Sequence, residues 1–190
     1  LVPHVTKTLW HQDAPFISYN PTISADSQIR CMSSCVAVAV SQYLYFLQDK
    51  LGYTFNMPLL GSCIGSCNED YIQSFTRFST WDLSNLALTD NTILYSEDQI
   101  DKVALAIGYV GKQVQTKYGP FASISNNIKV QNFLNSIGVK GSFVEDGNID
   151  LKTIIGERKE PVISRGSVEK EGLGHMFLLD GCKYDLVEYE

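Results

Sequence analysis

Cys35 follows two serines and opens an unbroken apolar run, Cys35-Val36-Ala37-Val38-Ala39-Val40-Ser41-Gln42-Tyr43-Leu44-Tyr45-Phe46-Leu47. A thiol so placed is a candidate nucleophile, and nucleophilic catalysis by cysteine needs a base. The chain has three histidines, His4, His11 and His175. His175 lies in Gly172-Leu173-Gly174-His175-Met176-Phe177-Leu178-Leu179-Asp180-Gly181, a short apolar segment bounded by glycines that reads as a buried strand with the imidazole at its mouth. Gly174 permits the close approach of another backbone, as a peptide-binding groove would require. A packed, unreactive Cys35 is the competing reading, because free cysteine is among the most buried residue types.

The elements that must position these groups follow from local patterns. No Gly or Pro interrupts the run before Gly52, and Ser33 and Ser34 are good N-cap residues, so a buried helix beginning at about Cys35 is expected. The unpaired N–H groups at such an end favour thiolate over thiol. Tyr71, Ile72, Phe75 and Phe78 suggest a second helix within 68–80. Ser96-Glu97-Asp98-Gln99 is a capping-box start to a third, which Gly108 and Gly111 should end. Short helices are expected over Lys129–Ile137, stopped at Gly138, and over Leu151–Glu157. Residues 138–144 and 160–166 read as strands leading to the His175 strand. Helices first and strands later imply an α+β fold, with a helical half over about 1–110 and a mainly β half over about 111–190.

Four ordered motifs then resemble one family. Ser34-Cys35-Val36-Ala37-Val38-Ala39-Val40-Ser41-Gln42 is similar to the nucleophile segment of the streptopain family of bacterial papain-like cysteine proteases, where Gly-Cys-Val-Ala-Thr-Ala-x-Ala-Gln is usual. Gly174-His175-Met176-Phe177-Leu178-Leu179-Asp180-Gly181 resembles its Gly-His-Ala-Phe-Val-x-Asp-Gly segment. Trp10-His11-Gln12-Asp13-Ala14-Pro15-Phe16 resembles its aromatic-x-Gln-x-x-Pro-aromatic opening, and Lys117-Tyr118-Gly119-Pro120 with Lys129-Val130-Gln131 resembles its Tyr-Gly-Pro loop and the helix behind it. The matches run from residue 2 to residue 182, and 53–95 match poorly.

The resemblance implies a papain-like cysteine protease fold and an endopeptidase acting through Cys35 and His175, with an oxyanion hole made by the Gln12 side-chain amide and the Cys35 N–H. It further implies peptide or protein substrates, an inhibitory propeptide in a precursor, and export from a bacterial cell. Ala122 and Ile124 are the expected lining of a pocket for an apolar residue two positions before the scissile bond, with Ser167 near its rim and Gly174 beside it. Two departures stand out. Ser34 replaces the usual Gly before the nucleophile. The family's imidazole-orienting Asn is expected beyond Glu190, on strands that the 190 residues do not include. Asp180 is a poor substitute, because an offset of five along a strand turns it to the opposite face from His175, and Asp185 lies about 33 Å along an extended strand.

Bulk properties fit this class and exclude others. Net charge is −6 with no basic run, which argues against a nucleic-acid partner. No apolar stretch approaches the length of a membrane span. Leu1-Val2-Pro3-His4 lacks the basic and apolar regions of a signal peptide, so export would depend on a removed segment. No cofactor is implied by the motifs. The rival function classes are a catalytically inactive binding domain on the same fold and a zinc-stabilised interaction module. Cys31-x3-Cys35 and Cys63-x3-Cys67 form two equally spaced pairs, although zinc knuckles favour a two-residue spacer. With Cys35 reserved as nucleophile, Cys31, Cys63, Cys67 and Cys182 allow three disulfide pairings or remain free thiols, and a local Cys63–Cys67 clip fits its Gly/Ser-rich loop.

Overall fold

A computed structural model of the chain describes residues 3–58, 96–144, 149–167 and 174–183. The helix expected within 68–80, the Cys63–Cys67 clip and Asp185 lie outside the described residues.

Helix α1 spans Cys35–Leu51, and Ser34 caps it: the Ser34 Oγ accepts from the Ala37 N–H at 3.1 Å. Gly52, in the left-handed region at φ +67°, closes its other end by donating to the Gln48 carbonyl at 3.1 Å, a conformation that glycine adopts without a Cβ penalty. Val36 to Ser41 and Leu44 to Leu47 are all buried. A helix apolar on every side belongs at the centre of a molecule. The α1 helix packs against helix α2 (Glu97–Gln113) and both strands of a small sheet. One cluster joins α1 to Trp10, Phe16, Val103, Ile107, Tyr109, Val110, Val130, Phe133 and Met176. Each fully buried aliphatic or aromatic side chain there stabilises the fold by about 1.5–3 kcal/mol. Among the described residues no helix is long and apolar enough to cross a membrane.

The α2 helix begins as expected, with the reciprocal Ser96–Gln99 capping box, but runs through Gly108 and Gly111 to Gln113. The two glycines therefore do not end it. At Gly111 the reason is close packing: a Cβ there would meet the Tyr118 hydroxyl at 2.3 Å and the Ala37 Cβ at 3.6 Å. Helix α3, Asn127–Ser136, is capped by Asn126, whose Oδ1 accepts from the Lys129 N–H at 3.0 Å. Gly138 follows it at φ +84°.

Residues 138–144 form no strand, contrary to expectation. Their polar groups are drawn back to α3 instead: the Val139 N–H donates to the Leu134 carbonyl at 2.9 Å, and the Gln131 side chain donates to the Gly141 carbonyl at 3.3 Å. The short helix expected at 151–157 is a wide π-type turn over Lys152–Glu157. Strands β1 (Val162–Gly166) and β2 (His175–Leu179) pair antiparallel, with Gly166 opposite His175 and Arg165 opposite Met176. Only Met176 of β2 is fully buried, so the apolar run marks a half-covered strand rather than a buried one.

Gly111→Ala tests the packing explanation. Replacing a helical Gly gains up to about 1 kcal/mol of propensity, while overpacking costs about 1–3 kcal/mol, so denaturant unfolding should show a net loss. In a Tyr118→Phe background the obstructing hydroxyl is gone and the same change should be neutral or stabilising.

A second test concerns Tyr109, whose hydroxyl donates to the Pro58 carbonyl at 2.6 Å and accepts from Gln113 Nε2 at 2.9 Å. Burial pushes its phenol well above the ordinary range, and the Gln113 bond offsets this only partly. A raised native value means that the associated stability is present below about pH 10 and is lost as pH rises through the native value. Tyr109→Phe should lower stability at neutral pH by about 0.5–1.5 kcal/mol and flatten the alkaline fall in Tm.

Candidate active site

The four residues before Cys35 form a held segment. The Asn20 side chain, buried at 1% exposure, donates to the Cys31 carbonyl at 3.0 Å and to the Ser33 Oγ at 2.8 Å. Ser123 Oγ donates to the Met32 carbonyl at 2.6 Å. Gln12 grips Ser33 twice: its Nε2 donates to the Ser33 carbonyl at 2.8 Å, and its own carbonyl accepts from the Ser33 N–H at 2.9 Å. The Ser34 carbonyl accepts the first helical bond from Val38 N–H at 3.2 Å. Ser34 Oγ also meets Thr116 Oγ1 at 3.0 Å. All four carbonyls from Cys31 to Ser34 are thus occupied, which fixes the direction in which Cys35 leaves the first turn.

Cys35 is half-buried at the start of α1, and its Sγ accepts a hydrogen bond from the Met176 N–H at 3.4 Å. The sulfur therefore lies against β2, one residue from His175. His175 is exposed, and its ring stacks on Phe177, two residues along the same face, at 6.1 Å between centroids. Among the described residues no side chain makes a hydrogen bond to its imidazole. Asp180 is committed elsewhere: its carboxylate takes His4 Nδ1 at 2.8 Å and the Thr6 hydroxyl, while its carbonyl accepts from the Val5 N–H at 2.8 Å. His11 packs its ring on Phe16 at 5.1 Å. Of the three histidines, His175 is the one that stands next to the residue whose N–H meets the thiol.

The remaining candidates surround this centre at different distances. Ala122 and Ile124 are exposed on the 117–125 loop, which is closed by paired bonds between Lys117 and Ile124. Ser123 between them anchors that loop to the segment before Cys35. A Cβ on Gly119 would meet the Ala122 carbonyl at 2.6 Å, so the turn requires glycine. Ser167 is exposed just beyond the end of β1. At Gly174 the close approach is real, but it is made by the Arg165 side chain and the Gly166 carbonyl. Cys31 and Cys182 are free thiols, and burial pushes the Cys31 thiol up from its ordinary value. Cys63 and Cys67 fall outside the described residues, as does any pairing or metal set that includes them.

No family model and no curated protein matches the chain in sequence. Solved structures do match. A fragment of Prevotella intermedia prointerpain A, carrying a cysteine-to-alanine mutation, superposes with a TM-score of 0.65 at 19% identity. The alignment covers 95% of this chain and 58% of that one. Active wild-type interpain A cysteine protease from the same organism gives 0.60 at 19% identity, over 95% of this chain and 77% of that one. The chain has the papain-like cysteine protease fold. The streptopain-family resemblance holds at the level of that fold, which is α+β as the element order implied. The chain spans 58% of the first relative's length.

Asn20, Thr116 and Ser123 escape a reading of the sequence, since each is an ordinary loop residue until the fold brings it to the 31–34 segment. Asn20→Ala tests what they hold. It strips partners from a buried carbonyl and hydroxyl, at a cost of about 1–3 kcal/mol. Thermal unfolding should register that loss, whereas Asn132→Ala, at an exposed position on α3, should stay within about 0.5 kcal/mol.

Proposed function

We propose that this chain is the catalytic domain of a cysteine endopeptidase, with Cys35 as nucleophile and His175 as its general acid and base. The observation that carries the reading is the Met176 N–H to Cys35 Sγ bond, because it seats a helix-start thiol against the strand whose first residue is His175. Cys35 attacks the scissile carbonyl, His175 gives its proton to the leaving amine, and the same imidazole then deprotonates the water that hydrolyses the thioester.

Gln12 and the Cys35 N–H are assigned to the oxyanion. A carboxamide carries two N–H donors, and one bond to Ser33 leaves the other for substrate while locking the side chain's position. Loss of one such donor costs about 2.7–4 kcal/mol of transition-state stabilisation. Ala122 and Ile124 are assigned to the pocket for an apolar substrate side chain two residues before the cut, with Ser167 and Gly174 at its border. Proteins or peptides are the proposed substrates, and an inhibitory propeptide and secretion are proposed with them. The prointerpain relative supports a precursor form. An inactive binding domain is the second reading, favoured by the His175 imidazole's lack of an orienting partner among the described residues.

Cys35→Ala separates the two. Loss of a nucleophile lowers kcat by about 10⁶-fold in a peptidase, while Cys31→Ala should leave turnover measurable. For the wild-type protein, kcat/KM for a peptide with an apolar residue two before the cut should trace a bell against pH. Absence of any Cys35-dependent hydrolysis would select the binding-domain reading.

A further inference from the structure

The N-terminal arm is a strap that touches both sides of the proposed site. Thr6 and Gln12 are half-buried, Thr8 and Trp10 are buried, and Lys7, Leu9 and His11 between them are exposed, the alternation of an extended chain laid on a surface. Every inward residue of the series is held. The Thr6 hydroxyl donates to the Asp180 carboxylate just past the end of β2. The Gln42 side chain on α1 donates to the Thr8 hydroxyl at 2.8 Å and to the Thr8 carbonyl at 3.3 Å. Trp10 packs on Tyr45, also on α1, with ring centroids 5.5 Å apart. Gln12 ends the series on Ser33, through its side chain and its carbonyl.

Asp180 anchors the strap at the end away from Gln12. Its backbone carbonyl accepts from the Val5 N–H at 2.8 Å, one carboxylate oxygen accepts from Thr6, and the other takes His4 Nδ1 at 2.8 Å. The His4 side chain is 84% exposed, and an ion pair so open to water contributes little, so the Thr6 and Val5 bonds carry the attachment. Along the same strand stand His175 and Met176, whose N–H meets the Cys35 sulfur. The strap therefore joins the strand bearing the proposed acid and base to the side chain assigned to the oxyanion, and it crosses α1 on the way.

We propose that Asp180 is a positioning residue: by fastening the strap to β2 it holds Met176 and His175 against Cys35 and, at the other end of the strap, Gln12 against Ser33. The catalytic consequence rests on the peptidase reading, whereas the coupling is measured by backbone exchange, so the two can fail separately. Asp180→Ala should accelerate amide hydrogen exchange at Met176 and at Ser33, whose N–H donates to the Gln12 carbonyl. The expected factor is about 5–10 beyond any change in the middle of α2, whose slowest amides report global stability. In turnover of a peptide with an apolar residue two before the cut, kcat should fall about 10–10²-fold, because a misplacement of about 1 Å at the reacting groups costs about 10²-fold. KM should stay within about twofold, since the interaction lost is one that serves the transition state.

Asp180→Asn keeps one oxygen acceptor for the Thr6 hydroxyl and should recover most of both effects. Exchange at Met176 and Ser33 that moves no more than exchange in α2 overturns the proposal. Acceleration confined to Met176 overturns it as well, because Asp180 would then tie the strand without acting through the strap. In an active enzyme, an Asp180→Ala protein with a lowered Tm but wild-type kcat shows a merely structural aspartate and also overturns it. A wild-type protein that hydrolyses nothing removes the peptidase reading, while acceleration at both Met176 and Ser33 in that protein still supports the coupling.

Discussion

The hydrogen bonds that immobilise residues 31–34 are the constraint on which the site depends. A thiol at the first residue of α1 can be directed only if the chain entering the helix has one conformation, and four carbonyls held in series supply that. Their donors come from separate parts of the chain: Asn20, Ser123, Gln12 and the first turn of α1 itself. Buried carbonyls without partners would cost about 1–3 kcal/mol each, so the segment is stable only when all the loops have arrived. Ser34 adds the cap, and its hydroxyl also touches Thr116, which links the start of α1 to the loop opposite.

The sheet contributes the second half of the geometry through a backbone group. Met176 turns its side chain into the core and its N–H to the Cys35 sulfur, so alternation along β2 places His175 and Phe177 together on the more open face. The end of the strand is tied separately by the N-terminal arm, through Val5, His4 and Thr6 on Asp180. That attachment explains why Asp180 does not serve the imidazole. The aspartate secures the strand on which the histidine stands, and the Arg165 guanidinium fills the space a side chain on Gly174 would take.

Local patterns in the chain were sufficient for the starts of α1 and α2 and for the end of α1. Ser34, Ser96 and Gly52 act at α1 and α2 through hydrogen bonds within four residues, which is why capping could be read without the fold. They were insufficient where distant partners compete. Gly108 and Gly111 look like helix ends, but the tight contact with Tyr118 keeps α2 helical through them. Residues 138–144 have strand-like composition, but their polar groups are satisfied by α3.

The same division runs through the candidate site. Residue types marked Cys35 and His175 only as candidates, with a packed thiol as the competing reading, and the family resemblance carried the assignment to them and to Gln12. Only the tertiary structure decided which backbone group meets the sulfur, which side chains hold Cys31 to Ser34, and that Arg165 occupies the space above Gly174. Most of those contacts join residues more than ten positions apart, and the one between Met176 and Cys35 joins residues 141 apart. No periodicity or cap encodes them, since they arise from the shapes of packed elements rather than from the preferences of neighbouring residues.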